Sequence, residues 1–327
     1  MNNRRKLVIA LGASALTAPF GSFAQQQGKV WRVGFLGTAT AAGYVREVDA
    51  IRAAFRDLGY VEGKNIVIEY RWAENNPERW KEMAAELVAI KVDAIITHST
   101  LGAGTAAQAT KSIPIVMADG ADPVAAGLVA SLARPGGNIT GSTSFQIELA
   151  AKRFELLKEV TPRIKRVAIV FNPMNASSES LLREIETAAK TMKVELHQFP
   201  VKAPAELPGV FSAMTKKRVD AALIVEDPLL NSNVGIIAAL AETHRFPASG
   251  LTTFADAGGL LGYGGNRPLV YSRAANFVDK IFKGTKPGDI PFERATTFEL
   301  IINLKTAKAL AIKIPQQVLQ RADRVIE

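Results

Sequence analysis

The sequence has no cysteine and only three histidines among its 327 residues. The lack of cysteine excludes disulfides, thiolate nucleophiles, iron–sulfur clusters and cysteine-based zinc sites. His98, His197 and His244 are far apart in the sequence and form no HExxH pattern. No metal site is therefore expected.

Motifs for nucleotide binding and for nucleophilic catalysis are also missing. Gly34 and Gly37 follow a predicted strand, but they form no GxGxxG motif and no P-loop lysine comes after them. The sequence has no GxSxG motif, and no histidine has a nucleophile beside it in a known signature. These absences predict that the protein has no cofactor and is not an enzyme.

Beyond the N-terminus, no apolar run is long enough to span a membrane. At the N-terminus, the basic residues 4–6 precede an apolar stretch from Leu7 to Phe20, and small residues stand at the −3 and −1 positions of a cut after Ala24. This pattern is typical of a secretory signal peptide over residues 1–24 and predicts a periplasmic protein. An uncleaved anchor is the alternative, and the choice between Sec and twin-arginine export stays open.

The sequence carries a net charge of +9, which at first suggests a nucleic-acid partner. Three of these charges belong to the signal peptide, and the other basic residues are scattered without a run of five. A solvated surface explains such scattered charge better than a nucleic-acid site does. We therefore expect no nucleic acid among the partners.

The rest of the chain alternates short apolar runs with amphipathic stretches of helical period. One helix is predicted to begin at Asn76-Pro77. Another is predicted to begin at Asp122-Pro123 and to continue through Leu132. The predicted strands cover residues 30–36, 65–72, 94–97, 113–117 and 139–142 and, after a break near 142–146, residues 166–171, 194–199, 221–225, 247–251 and 260–263. This order predicts an α/β protein with two doubly wound parallel-sheet lobes.

Ligands of open α/β sheets bind beyond the carboxyl ends of the strands. The residues at these ends include hydroxyl, amide, carboxylate and aromatic side chains, which suit a small organic solute. The candidate ligand-binding residues are Thr38, Ser99, Thr100, Asp119, Ser144, Phe145, Asn172, Asp227 and Tyr263. His98 and Glu226 also follow strands, but a lone histidine is more often structural.

Several longer stretches are specific enough to indicate a family. They are Ile113-Pro114-Ile115-Val116, the segment from Asp122 to Gly141 that contains Arg134-Pro135-Gly136-Gly137-Asn138, the glycine-rich segment 258–264, the segment 280–291 and the segment 298–310. In these stretches the chain resembles the substrate-binding proteins of ABC transporters, including their tryptophan-binding members. The resemblance covers essentially the whole chain after the signal peptide.

The resemblance implies a type I periplasmic-binding-protein fold with two lobes joined by three crossovers, near residues 142–145, 264–266 and 295–297. The first lobe would comprise residues 25–143 and 265–296. The second would comprise residues 144–264 and 297–327. Such a protein is expected to be a monomer that captures a small solute and delivers it to an ABC permease in the cytoplasmic membrane.

The solute implied by the resemblance is an amino acid or an aromatic carboxylate, bound by hinge closure. Thr38, Ser99 and Thr100 would hold a carboxylate from the first lobe, while Asn172 and Asp227 would act from the second, with Asp227 facing an ammonium group. Phe145 and Tyr263 would pack on the apolar part of the solute.

Two alternatives stay open from the sequence alone. One is a ligand-sensing receptor domain that partners a membrane sensor. The other is an exported enzyme, which would need an acid, a base or a nucleophile with a plausible partner.

Overall fold

The strands of the first lobe form a parallel sheet in which the order is β11-β5-β4-β3-β1-β2. The computed structural model describes residues 29–74, 76–144, 146–175, 177–294 and 297–327, and residues 31–327 form one compact unit. The strands of this sheet are β1 (Trp31–Gly37), β2 (Ile66–Trp72), β3 (Ala94–Thr97), β4 (Ile115–Met117), β5 (Ile139–Thr143) and β11 (Glu293–Arg294).

Helices cover both faces of the first sheet. They are α1 (Val45–Asp57), α2 (Pro77–Ala89), α3 (Ser99–Ala109) and α10 (Arg267–Phe282). Phe35 of β1 packs with Phe55 of α1 and Phe277 of α10 in one buried cluster, so α10 belongs to the core of this lobe although it lies late in the sequence. Asn76 accepts a hydrogen bond from the Glu78 amide at the start of α2, which confirms the predicted cap.

The second sheet has the order β13-β12-β10-β9-β8-β6-β7. Its strands are β6 (Arg166–Phe171), β7 (Glu195–Pro200), β8 (Ala221–Ile224), β9 (Ala248–Gly250), β10 (Leu261–Gly265), β12 (Phe298–Asn303) and β13 (Arg324–Ile326). The helices of this lobe are α4 (Gln146–Val160), α5 (Ser178–Met192), α6 (Leu207–Lys216), α7 (Pro228–Asn231), α8 (Val234–Thr243), α9 (Thr252–Asp256), α11 (Leu304–Ala309) and α12 (Gln316–Arg321).

Strand β6 shows why these strands read as continuous apolar runs. Its successive residues alternate between two buried clusters: Val167 and Ile169 face the cluster with α4 and α5, and Ala168 and Val170 face the cluster with α6 and α8. A strand with both faces covered needs apolar residues at every position.

The chain passes between the lobes three times: after β5, after β10 and after β11. Strand β10 leaves its sheet at the edge that faces the first lobe, and β12 enters the same sheet from that lobe. The two strands therefore run antiparallel, although the other pairs described in both sheets are parallel. The exact limits of the lobes at 143/144, 264/265 and 296/297 stay a prediction.

The local structure differs from the sequence predictions at two places discussed next, after Asp122 and at α9. The segment after Asp122 forms a single turn rather than a helix through Leu132, because Gly127 takes a positive φ of 68° and ends it. The helix α9, in contrast, was not expected from the sequence. No helix in the described part of the chain is long and apolar enough to cross a bilayer.

Gly141 in β5 provides a test of the packing in the first sheet. Its φ is 143°, and an added Cβ would lie 2.0 Å from the Met117 carbonyl oxygen. We expect Gly141→Ala to lower the free energy of unfolding by more than about 2 kcal/mol, as measured by urea denaturation. The matched control is Gly209→Ala at an exposed position of α6, where no atom lies within 4 Å of the added Cβ. This change should raise the free energy of unfolding by about 0.5–1 kcal/mol. Equal effects of the two changes would contradict this account.

Candidate functional site

The carboxyl ends of β1, β3 and β4 in the first lobe meet those of β6 and β8 in the second. The residues that follow these strands are Thr38, His98, Asp119, Asn172 and Asp227. They line two adjoining cavities between the lobes. The structure therefore brings together most of the predicted ligand-binding residues.

The first cavity, which we name the polar compartment, has a volume of about 30 Å³. A volume of this size holds about two water molecules or one small polar group. Its lining is rich in charged and hydroxyl groups and includes Tyr44, His98, Ser99, Thr100, Asp119, Asn175, Ser177, Glu226, Asp227, Arg267 and Tyr271.

The second cavity, which we name the apolar compartment, has a volume of about 190 Å³. Cavities of roughly 150 Å³ lined by apolar side chains accept a benzene ring. Ser99, Asn175, Asp227 and Pro228 line both compartments, so the two are neighbours. The remaining walls of the apolar compartment are Thr38, Trp80, Leu101, Asn172, Met174, Lys202 and Leu229.

Thr38 and His98 form a rigid corner of the first lobe. The Thr38 amide donates to His98 Nε2 at 3.1 Å, and the Trp80 indole donates to the Thr38 carbonyl at 2.9 Å. Burial and then the nearby Arg267 charge lower the pKa of His98 to about 3. The imidazole is therefore neutral at pH 7, accepts at Nε2 and carries its proton on Nδ1.

Ser99 begins α3 with a positive φ of 66°, which is costly for any residue with a Cβ. Its amide donates to the Asp119 carbonyl oxygen at 2.7 Å, and its hydroxyl accepts from the Gly102 amide at 3.1 Å. The Thr100 hydroxyl accepts from the Ala121 amide at 3.2 Å. These bonds tie the loop after β4 to the start of α3 and fix the wall of the polar compartment.

Asp119 of the first lobe and Glu226 of the second are both buried and line the same polar compartment. Burial, followed by the negative charge of Glu226, raises the pKa of Asp119 to about 7, while the positive charge of Arg267 opposes this rise. Asp119 Oδ1 has no hydrogen-bond partner in the described chain. Asp119, a lining residue of the compartment, thus has one buried oxygen that is free to accept a further hydrogen bond.

Glu226 forms an ion pair with Arg153 of the same lobe, and the side chain of Arg153 is fully buried. Arg153 Nη2 lies 3.1 Å from Glu226 Oε2, and its Nε donates to the Tyr263 carbonyl at 2.6 Å. Removing one partner of a buried pair is costly because the other charge stays uncompensated. Arg153 therefore supplies a buried counter-charge to Glu226, which lines the compartment.

Arg267 supplies a positive charge at the crossover from β10 to α10. Its guanidinium lies 5.1 Å from the Tyr44 ring centroid and 5.6 Å from that of Tyr271, and its Nε is 3.5 Å from Glu47 Oε1. Cation–π contact and the ion pair offset the cost of burying this charge.

Asp227 has a largely structural set of bonds. Its carboxylate accepts from Asn172 Nδ2 at 3.1 Å, from Asn175 Nδ2 at 2.9 Å and from the Leu229 amide at 2.8 Å, where it caps α7. Burial raises its pKa, and these bonds act in the opposite direction. Three hydrogen bonds within the second lobe thus hold the carboxylate of Asp227, which lines both compartments, and its role toward an ammonium group stays a prediction.

Of the other predicted residues, Ser144 and Tyr263 lie at the edge of the site. The Ser144 amide donates to the Gly120 carbonyl at 2.9 Å, next to Asp119. Phe145 lies outside the described residues. The Tyr263 ring packs 6.3 Å from that of Phe298 and against the apolar cluster around Leu156, so its carbonyl rather than its ring serves the site.

The sequence interpretation omitted Tyr44, Trp80, Arg267 and Tyr271 from the site and chose Asp227 over Glu226. Glu226 and Asp227 are adjacent acidic residues after the same predicted strand, so their positions in the sequence do not distinguish them. Arg267 stands just after the Gly264-Gly265 break at a predicted crossover, which was a usable signal. Tyr44, Trp80 and Tyr271 lie in helical or turn segments and carry no local pattern that marks them as cavity residues.

The raised pKa of Asp119 predicts how stability depends on pH. The fold favours the protonated carboxyl, so its contribution is complete below pH 4 and is lost as the pH rises toward about 7. We expect the free energy of unfolding of the ligand-free protein to fall across this range relative to Asp119→Asn, by about 1.4 kcal/mol for each pH unit at most. Denaturation at several pH values measures the difference, with exposed Asp122→Asn as the control that should follow the wild type. Parallel curves for wild type and Asp119→Asn would contradict the prediction.

Comparison with known proteins adds to this geometry. Residues 39–326 match the model of the family described as ABC transporter substrate binding protein. A tyrosine-binding protein of Clostridioides difficile (strain R20291) is 32% identical over 260 residues, which cover 79% of this chain and 74% of the relative.

Two solved structures share the architecture. The conserved domain protein of Vibrio cholerae has a TM-score of 0.85 at 27% identity and covers 91% of this chain and 100% of its own. The ABC domain from Streptococcus pneumonia, in complex with L-Trp, has a TM-score of 0.84 at 26% identity and covers 90% and 99%. These matches confirm the predicted type I periplasmic-binding-protein fold. The family resemblance of the sequence is confirmed as well: the chain belongs to the substrate-binding proteins of ABC transporters.

Proposed function

We propose that the protein is the extracytoplasmic solute-binding component of an ABC importer and that it binds an α-amino acid with an aromatic side chain between its lobes. The observation that carries this proposal is the pair of unlike neighbouring compartments. One is small and charged, and the other is larger and lined by Trp80, Leu101 and Met174.

The ammonium group of the ligand would lie between Asp119 and Glu226. A positive charge at this position would satisfy the partnerless Asp119 oxygen and would relieve the repulsion between the two carboxylates. Because the acids come from different lobes, the same ammonium would favour the closed form over the open one.

The carboxylate of the ligand would lie at the start of α3. The amides in the first turn of a helix have no helical carbonyl partner and carry partial positive charge. The amides of Thr100 and Leu101 belong to this turn, and Arg267 adds a full positive charge to the same compartment. This arrangement supports the carboxylate role predicted for Ser99 and Thr100.

The side chain of the ligand would occupy the apolar compartment. The volume of this compartment suits a single ring system, and Trp80 offers an aromatic wall held by its bond to Thr38. The relatives named for tyrosine and solved with L-Trp support an aromatic amino acid for this chain.

The cellular setting follows from the family and the N-terminal sequence. Residues 1–24 would direct export and be removed near Ala24, and the lobes would then close on the solute and deliver it to the permease. The signal peptide lies outside the described residues, and the monomeric state stays a prediction.

The ligand class is tested by calorimetry on residues 25–327 with L-tryptophan and L-tyrosine. At least one of them should bind and raise the melting temperature by mass action. Indole-3-propionate, which lacks the ammonium group, and L-alanine, which lacks the ring, should bind at least about tenfold more weakly. Binding of indole-3-propionate without binding of either amino acid would refute the proposal.

The acidic pair is tested by substitution. Asp119→Asn and Glu226→Gln preserve side-chain shape and remove one charge each, so each should weaken amino-acid binding about 10- to 100-fold. Asp122→Asn makes the same chemical change on an exposed turn and should leave affinity unchanged. Titration calorimetry gives the dissociation constants, and wild-type affinity for Asp119→Asn would exclude its contact with the ammonium group.

A further inference from the structure

The lobes also touch outside the cavity, along a short line that we name the seam. On the first lobe the seam contains Gly43, in the single 3-10 turn before α1, and Arg46 of α1. On the second lobe it contains Ser232, just after α7, and Asp256 of α9.

Gly43 approaches Ser232 more closely than any side chain would allow. A Cβ placed on Gly43 would lie 2.6 Å from Ser232 Cβ and 2.8 Å from Ser232 Cα. The conformation of Gly43 itself does not demand glycine, because Gly43 is not among the glycines with positive φ. The requirement for a small residue comes from the opposite lobe.

Arg46 lies one helical turn beyond Gly43 and bonds across the seam, with its Nη1 3.1 Å from Asp256 Oδ2. The other oxygen of Asp256 is 2.6 Å from Arg324 of its own lobe. Arg324 therefore orients Asp256 whether or not the lobes meet, whereas Arg46 reaches it only when they do.

We propose that Gly43 and Arg46 are positioning residues that set ligand affinity by permitting and holding the closed form. The inference rests on the proposed function, since it assumes that ligand binds to the closed lobes. When only a fraction of the protein can close, the apparent dissociation constant rises by the inverse of that fraction. Residues that do not line the cavity thereby control affinity.

The affinity test uses Gly43→Ala with L-tryptophan and L-tyrosine as probes. The added methyl would clash with the Ser232 backbone only on closure, so the dissociation constant should rise about tenfold or more while the melting temperature of the ligand-free protein does not fall. The control Gly209→Ala should bind as the wild type does. If Gly43→Ala binds a probe as tightly as the wild type does, the inference is wrong.

The ion pair is tested by two substitutions that remove different partners of the same carboxylate. Arg46→Ala should weaken binding a few-fold at low salt, with a smaller effect at high salt because the pair is partly exposed. Arg324→Ala should change affinity less than twofold, since its pair lies within one lobe. An equal loss of affinity in both variants would contradict the role of Arg46.

A second measurement needs no ligand and uses the absence of native cysteine. The double substitution Gly43→Cys with Ser232→Cys should form an intramolecular disulfide in oxidised glutathione, detected by mass and by non-reducing gel. The bridge should form with the lobes slightly further apart than in this structure, because the Cβ atoms of a disulfide lie about 3.5–4.5 Å apart and the two Cβ positions here are 2.6 Å apart. The control pair Gly137→Cys with Ser232→Cys places its first thiol next to the amino end of β5, away from the cleft, and should react far more slowly. Equal rates would refute the seam. Cross-linking combined with no binding of either amino acid by the wild type would refute only the proposed ligand.

Discussion

Two buried acidic side chains from opposite lobes, Asp119 and Glu226, are the electrostatic constraint around which the site is arranged. Both line one small compartment, where burial and then the negative charge of Glu226 raise the pKa of Asp119 to about 7 against the opposing charge of Arg267. In the proposed mode of binding, the ammonium group of the ligand would add a positive charge between them, beside that of Arg267. A cleft built in this way links the position of the lobes to the charge of its contents.

The surroundings of this pair are arranged to keep it in place. Arg153 contacts Glu226 from inside the second lobe, and Arg267 lies near the rings of Tyr44 and Tyr271 in the first. Each of these buried cations depends on partners that come from distant parts of the sequence. The neutral His98 and Ser99, with its positive φ, complete the wall that the first lobe contributes to the cleft.

Much of the architecture followed from apolar periodicity, because strands covered on both faces leave a clear signal, as in β6. The strand-end rule then located Thr38, Ser99, Asp119 and Asn172 near the cavity. The same rule did not indicate that the Tyr263 ring packs against Phe298 in the second lobe. Nor did it indicate that the Asp227 carboxylate accepts hydrogen bonds from two asparagines and from the amide at the start of α7. The helix expected after Asp122 was wrong because the backbone at Gly127 ends the turn.

The sequence by itself determined the alternation of strands and helices, the two-lobed α/β class, the family and the polar residues at the carboxyl ends of the strands. These properties depend on local periodicity and on short motifs that can be read without knowing which segments meet. Only the tertiary structure decided that Asp119 and Glu226 share one compartment, that Arg267, Tyr44 and Trp80 line the site, and that Gly43 meets Ser232 at the seam. Each of these is a contact between residues far apart in the chain, and its geometry depends on how two separately folded lobes come together.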